Sequence, residues 1–574
     1  MTLCVLTGAV LRLWLFGSLG LTHFDEGIYA LSGAWSVSGG SVSSIDPMLI
    51  PYAPPGYPIL VGLSYQLLGV ADASAILVAT LLGIGTIPLA AWVGRRSFGP
   101  GAGVITALFS AFSMAHVAFS RKALTDVPFL FTWLLALGLG GRLLEQPRLG
   151  RAVALGIAVG LAQNFKYNGW LAGIVILLTA VIGAVVAPES RRRKNLIRTF
   201  GFGLLAAVVA ALIYWPWFDF VERHGGYSAL LQHHRNYLDP PTSWISNWKQ
   251  QLKQANALSG GRAWAVFTWV VVWAGGAWVL HGGRVLSTGS RRGWYRFGVG
   301  LIGGAGLFAG FASLSWCAGL ILVPRLIVED KPGSRIIAVW WTLLSILTPF
   351  YHPYARLWLP LEACGWLLLT GAVVRLDPFG SQGVAPPSEA SHAQPRRLVS
   401  IFTGVLASIV LVLQPSADPF PFGRIYQATT SIRDGVARLA TAPVPGLATG
   451  DELRVLGRRP FEYYLLLQGR FPFRLAASLE TLSSRQNQGK WLLIDSVQVT
   501  QDSGTNALPA ILENQSSRHR LWTEKLDPIT LLDVRPSAAE SRAGERPAET
   551  WLVRLETVPG ISSEKGAHDA PGPR

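Results

Sequence analysis

MTLCVLTGAVLRLWLFGSLGLTHFDEGIYA, residues 1–30, decides the class of fold. Leu3 to Leu21 is an apolar run whose one charge is Arg12, long enough to cross a hydrocarbon core of about 30 Å. It ends at His23-Phe24-Asp25-Glu26, an acidic pair set where the first helix leaves the membrane. Residues 3–20 have the length of a signal peptide. Arg12 breaks their apolar core and no small-residue cleavage site precedes His23, so the segment is expected to stay as a first helix.

Similar apolar runs recur to about residue 415, which bounds the fold at about 11 to 12 spanning helices. The composition agrees: of 574 residues, 50% are hydrophobic and only 14% charged, and the mean hydropathy is +0.36, too few charges for a water-soluble surface of this size. The net charge of +16 does not point to nucleic acid, because Lys and Arg cluster in short loops between apolar runs, as cytoplasmic topology signals do. Cys4, Cys317 and Cys364 lie in apolar segments without metal-ligand spacing, so neither a disulfide framework nor a zinc site is implied.

From the acidic pair outward, residues 22–72 carry Asp25, Glu26, Asp46 and Asp72 but no Lys or Arg and should lie outside the cytoplasm. Within them Tyr52-Ala53-Pro54-Pro55-Gly56-Tyr57-Pro58 introduces an apolar stretch to Gly69, read as a helix on the membrane surface. Helices expected at 73–94 and 101–119 place Arg95 and Arg96 inside and Ser120 to Asp126 outside. Further spans at 127–144, 152–163, 169–186 and 200–218 put Arg142, Arg148 and Arg151, then Arg191-Arg192-Arg193-Lys194, on the cytoplasmic side. Residues 219–262 form a second large external segment bearing His224, His233, His234 and Asp239.

Runs at about 264–281, 297–323, 336–350, 357–374 and 399–414 conflict with a simple count, because Arg396 and Arg397 ask that Tyr351 to Arg356 be external; the Gly-rich 297–323 is the run expected not to span cleanly. Beyond them, a small α/β soluble domain is read at 416–536, with a helix at 426–439 and strands at 453–456, 491–494 and 529–534. Residues 537–574 read as a mostly disordered tail with a short strand at 551–555.

Two adjacent carboxylates between low-dielectric walls repel each other, which raises a pKa toward the range of a general base, although a solvated helix-end loop explains Asp25-Glu26 equally well. In Ser120-Arg121-Lys122-Ala123-Leu124-Thr125-Asp126, Arg121 has the fork to hold a phosphate and Asp126 could orient a sugar hydroxyl; interface anchoring and an N-cap are the plainer readings. Lys166 and Tyr351-His352-Pro353-Tyr354-Ala355-Arg356 bring cations to the same predicted depth, where a departing phosphate would need them and where long basic side chains also snorkel.

These pieces together resemble the GT-C class of membrane glycosyltransferases, especially the protein O-mannosyltransferase and lipid A aminoarabinose transferase families and their Rgt-like bacterial relatives. The likeness covers residues 1–415 and rests on Asp25-Glu26, on Pro54-Pro55 before the surface helix, on Arg121 with Thr125-Asp126, and on Tyr354-Ala355-Arg356 before Leu359-Pro360. Tyr52-Ala53 stands where mannosyltransferases often carry a histidine.

The resemblance implies a mostly α, polytopic transmembrane bundle that transfers a monosaccharide from a polyprenyl-phosphate donor, with inversion, to an extracytoplasmic lipid, glycan or protein. Asp25 is then the catalytic base, assisted by Glu26 and Asp126; Arg121, Lys166, Tyr354 and Arg356 bind the donor phosphate; Tyr57 and His352 position substrate. The expected location is the bacterial inner membrane, with the site facing outward. Some members of these families use a divalent ion and others do not, and the adjacent His233 and His234 cannot share a helix face, so no metal is assigned. A transporter or lipid-carrier flippase is the chief rival, but it predicts charges in mid-helix and repeated halves. A noncatalytic scaffold would account for the spans and leave the placed acids and cations unexplained.

Overall fold

The computed structural model describes residues 1–38, 53–186, 189–271, 310–375, 420–476, 489–503, 507–534 and 547–555, less 262, 265, 266, 269, 443, 449, 514 and 516. Helix α1, Thr2–Leu13, leads through a 3-10 turn at Phe16–Ser18 and a short connection into α2, Phe24–Val37, so Asp25 and Glu26 occupy a first helical turn rather than a helix-end loop. The reason is local: the His23 ring nitrogen accepts the Asp25 N–H at 3.1 Å and Glu26 reaches back to the His23 N–H at 2.9 Å, a capping box in which histidine takes the place of serine. The stretch after Pro55 forms a helix, α3, Gly56–Leu68, with Tyr57, Val61 and Tyr65 buried and Ile59, Leu63 and Leu67 exposed. Asp46 and Tyr52 lie outside the described residues.

Helix α4, Asp72–Phe98, is 27 residues long, about 40 Å at helical rise, and turns back at Gly99, whose φ of 103° suits glycine, into α5, Pro100–Phe112. The single span expected at 101–119 is bent by 60° at Ser113, where α6, Met114–Ser120, begins. Ser113 caps α6 by accepting the His116 N–H at 3.2 Å. Arg12 serves the other side of the bend. Fully buried, it donates to the carbonyls of Ser110 at 3.1 Å and Ala111 at 3.4 Å and bonds His116 at 2.6 Å, so the one charge of the first apolar run satisfies backbone that the bend releases.

The chain continues through α7 (Asp126–Glu145), α8 (Leu149–Phe165), α9 (Leu171–Val186), α10 (Glu189–Arg223), α11 (Gly226–Arg235), α12 (Trp244–Ala257), α13 (Phe311–Val328), α14 (Pro332–Leu347) and α15 (Leu359–Arg375). Among the described residues, six helices are long and apolar enough to cross a membrane, a seventh if the bent pair counts as one, and three shorter apolar helices accompany them. The protein is thus an integral membrane protein. The run expected not to span cleanly yields a full-length helix, α13, which continues to Val328; its Gly-rich beginning at 297–309 and the run at 399–414, with Arg291, Arg292, Arg296, Arg396 and Arg397, lie outside the described residues. The conflict over Tyr351 to Arg356 is resolved by backbone pairing. Asp239 donates to Phe350 and His352 to Tyr237, both at 2.9 Å, so this loop shares a face with the segment 219–262.

The C-terminal unit begins with α16, Ser431–Thr441, and is built on a five-stranded sheet of order β2-β1-β3-β5-β4: β1 (Leu453–Leu456), β2 (Phe473–Leu475), β3 (Trp491–Asp495), β4 (Arg518–Glu524) and β5 (Ala548–Arg554). The first three strands are parallel and β5 runs antiparallel to both neighbours. The strand expected at 551–555 is therefore an interior strand. Between β1 and β2 lies α17 (Arg459–Gln468), and α18 (Ser496–Ser503) and α19 (Ala507–Glu513) follow β3. Residues 529–534, expected as a strand, are instead helix α20, Pro528–Val534: Pro528 opens it, and Asp527 accepts the N–H groups of Ile529 and Thr530 at 3.1 and 3.2 Å. Apolar content without periodicity could not separate the two.

This unit is bolted to the start of α2. Gly20 donates to Thr429 and Leu21 to Tyr464, each at 2.8 Å, and Arg458, buried against Asp495 and Glu524, donates to the Thr22 carbonyl at 2.9 Å. Gly27 lies flat on Arg459 and Pro460, where a Cβ would come within 2.3 Å of the Arg459 carbonyl carbon. At the centre Lys122 donates to Thr22 at 2.6 Å, to Asp527 at 2.8 Å and to Glu26 at 3.3 Å. Burial opposes both charges of the Lys122–Asp527 pair, yet their attraction outweighs it, holding the lysine above and the aspartate well below its ordinary range. The contribution of Asp527 is present above the usual carboxylate range and lost as acid passes its depressed value; that of Lys122 is present below the usual lysine range and lost as pH rises past its elevated one. Lys122→Met should therefore cost about 3 to 5 kcal/mol, by leaving two carboxylates buried with one cation fewer. The check is a lowered Tm of the detergent-solubilised protein, with wild type showing little change in Tm between mildly acidic and mildly alkaline pH.

Candidate active site

Asp25 is the second residue of α2, and the capping box that fixes this turn points its side chain away from Glu26. It forms an ion pair with Arg356, which stands in the short 3-10 turn Ala355–Trp358 after the aromatic loop. Both side chains are 22% exposed, so the pair is reachable from solvent. The ring of Tyr354 lies under the guanidinium with its centroid 5.1 Å away. A second carboxylate, Asp533 of α20, approaches the Arg356 Nε at 3.8 Å and bonds His23 Nε2 at 2.9 Å.

The second pair is Asp126 with Lys166, at 2.5 Å. Asp126 opens α7 and is buried, while Lys166 terminates α8 and is 21% exposed, so the lysine is the accessible member. The two pairs interact: Lys166 acts on Asp25, and Asp126 acts on Arg356. Tyr29, one turn below Asp25 on α2, faces both pairs and approaches the Thr125 hydroxyl at 3.5 Å. Asp25, Asp126, Lys166 and Arg356, spread over more than three hundred positions of chain, are thereby gathered on one face.

Asp25 and Glu26, adjacent in sequence, answer to different partners. Burial pushes the Asp25 carboxyl up, but Arg356 above all, with Lys166 beyond it, more than reverses this and holds it below its ordinary value. Asp25 is thus ionised at neutral pH by cations rather than poised by a neighbouring anion. Glu26 is fully buried and accepts the N–H groups of Thr22 and His23 at 2.9 Å and of Ala123 at 2.8 Å, besides Lys122. It cannot touch a substrate in this arrangement; it positions the turn that carries Asp25.

Arg121 and Tyr57 depart from expectation, and His352 stays beside the site. Arg121 does not join the cation cluster: it is 2% exposed, donates to the carbonyls of Arg12 at 2.9 Å and Trp14 at 2.5 Å, and lies 4.7 Å over Tyr426. It closes the open C-terminal end of α1. Tyr57 is fully buried, donates to the Ala75 carbonyl at 2.9 Å and meets Tyr29 edge-to-face at 5.6 Å, so it braces a site residue from behind. His352 has its backbone tied to Tyr237, its ring 5.0 Å from Tyr354, and Asp239 at 3.8 Å.

Sequence reading missed Asp533, which no motif marks, and the part of His23 as both cap and partner of Asp533. Among the described residues, no three of His, Cys, Asp or Glu are grouped to hold a metal ion.

Residues 52–217 match the model of the family described as dolichyl-phosphate-mannose-protein mannosyltransferase. No curated protein matches the chain. Among solved structures, the chain is similar to ArnT from Cupriavidus metallidurans bound to undecaprenyl phosphate, with a TM-score of 0.52 at 14% identity, covering 96% of this chain and 97% of that one. ArnT in the apo state gives 0.47 at 17% identity with 96% and 98% covered, and the Archaeoglobus fulgidus oligosaccharyltransferase in the apo form gives 0.49 at 13% with 87% and 69% covered. The first of these carries the comparison of folds.

Because Arg356 is the strongest influence lowering Asp25, Arg356→Met should move the Asp25 titration upward. Infrared difference spectra, with Asp25→Asn as the reference, would then show a protonated carboxyl band at a pH where the wild type shows only carboxylate.

Proposed function

We propose that this chain is a membrane glycosyltransferase of the GT-C type that transfers a monosaccharide from a polyprenyl-phosphate donor to an extracytoplasmic acceptor, with inversion; its fold and its matched segment support this reading. The observation that carries this reading is the juxtaposition of an ionised, partly exposed Asp25 with Arg356, beside the Asp126–Lys166 pair. A base and a set of cations at one membrane-proximal face are what displacement of a lipid phosphate by a hydroxyl requires.

In the proposed step the acceptor O–H bond breaks and its proton passes to the Asp25 carboxylate. The freed electron pair forms the new bond to the anomeric carbon, and the bond from that carbon to the phosphate oxygen breaks. The leaving electron pair stays on the phosphate, where Arg356 and Lys166 stabilise it. One displacement inverts the anomeric centre. Asp126 holds Lys166 in place, Tyr354 supports the Arg356 guanidinium, and Glu26 keeps Asp25 in its turn.

A donor delivered through the lipid suits this placement, because nucleotide sugars are cytoplasmic whereas this face is read as external. That a protein of the same fold is known bound to undecaprenyl phosphate supports a polyprenyl carrier, and a bacterial inner membrane is the setting we assign. The acceptor class, whether lipid, glycan or protein, is left to the assay.

Asp25→Asn should abolish transfer from a radiolabelled polyprenyl-phosphate sugar in membranes while leaving protein level and donor binding near those of the wild type. Arg356→Ala should instead raise the donor KM by roughly tenfold or more, as loss of a charge-assisted contact to phosphate would. Full turnover by Asp25→Asn would overturn the assignment of the base.

A further inference from the structure

The C-terminal unit does more than sit on α2: it sends one carboxylate into the site. Helix α20 is anchored at its start by Asp527, which accepts from Lys122, from Thr22 and from the Thr530 hydroxyl, and it carries Asp533 one residue from its end. A short helix fixed at one end to buried charges is a rigid strut. It delivers an Asp533 side chain that is only 6% exposed, with one oxygen on His23 and the same oxygen 3.8 Å from the Arg356 Nε. The other oxygen is buried and bonds no group among the described residues.

Arg356 thus stands between two carboxylates that approach it differently. Asp25 takes a terminal nitrogen of the guanidinium, and Asp533 faces the Nε edge. If Asp25 is to act as a base, its ion pair must open, and an anionic ligand is what would draw the guanidinium away. A guanidinium held only by Asp25 would lose its orientation at that moment. One also held along its Nε edge turns about that edge and keeps its place.

His23 adds a second constraint. Its Nδ1 accepts the Asp25 N–H, so its proton sits on Nε2 and points at Asp533. The aspartate therefore fixes the ring that caps the helix on which Asp25 rides. We propose that Asp533 is a positioning residue of the transfer site, anchoring Arg356 at Nε and His23 at Nε2 so that the guanidinium can pass from Asp25 to a donor phosphate. The C-terminal unit accordingly completes the active site. This rests on the reading of Asp25 as base and Arg356 as phosphate ligand.

The test compares Asp533→Asn, Asp533→Ala and Asp533→Glu in the full-length protein, with donor KM, kcat, the pH dependence of kcat/KM and binding of a sugar-free polyprenyl phosphate as readouts. Asparagine keeps the shape and an acceptor for His23 while removing the charge that attracts Arg356, so it should fold even if alanine does not. The expected result for Asp533→Asn is a donor KM raised roughly tenfold, weaker binding of the sugar-free phosphate, and an acidic limb shifted to lower pH as Arg356 settles wholly on Asp25, with glutamate restoring part of each. Wild-type KM, binding and pH profile in Asp533→Asn, beside an inactive Asp25→Asn, would overturn the positioning role alone. Full turnover by Asp25→Asn would instead remove the reading beneath it.

Discussion

A buried ammonium holds this molecule together. Lys122 lies where the membrane helices, the first turn of α2 and the C-terminal unit meet, and its three donors reach Thr22, Glu26 and Asp527, one group from each side of the junction or from its seam. Its geometry is well matched to the demand: a compact charge with rotatable hydrogens satisfies three acceptors at once, which a planar guanidinium could not do in the same space. Desolvation makes such a cluster costly unless every member is paired, so the arrangement admits few alternatives. Because Glu26 is engaged here, Asp25 beside it is turned outward, and the whole candidate site inherits its orientation from this inner contact.

Two layers of charge follow, with opposite characters. The inner layer is Lys122, Glu26 and Asp527, with Arg458, Asp495 and Glu524 behind it; these groups are sealed and mutually satisfied. The outer layer is Asp25, Arg356, Asp126 and Lys166, in which the accessible members are partly exposed. The inner layer fixes backbone and the outer layer offers side chains, which is how a preorganised site is built on a rigid support. Arg12 and Arg121 belong to neither layer. They satisfy backbone carbonyls at the bend of α5 and α6 and at the end of α1.

Much of this was legible in the chain itself. Charges at the ends of apolar runs marked Asp25, Asp126, Lys166 and Arg356, because the bilayer fixes their depth and the spacing of spans fixes their side. What depth and side do not give is direction. Arg121 and Lys122 are adjacent and equally placed in sequence, yet one faces helix ends and the other the buried junction. Glu26 and Tyr57 were misread for the same reason: a residue near a site in sequence can face it or support it, and only packing decides. Residues 529–534 read as a strand because a short apolar run has no period to betray a helix, and Asp533 was hidden within that error. The short apolar stretch 551–555 reads as a strand, though not as one that would lie inside the sheet.

That interior placement of β5 has a consequence for biogenesis. The sheet lacks its link between β3 and β4 until residues 548–554 have been made, whereas the membrane helices and Asp25 emerge from the ribosome far earlier. A half-translated chain can therefore insert its helices but has no finished unit to clasp the start of α2. The face that carries Asp25 therefore gains its clasp only once β5 has joined the sheet, late in synthesis of the chain.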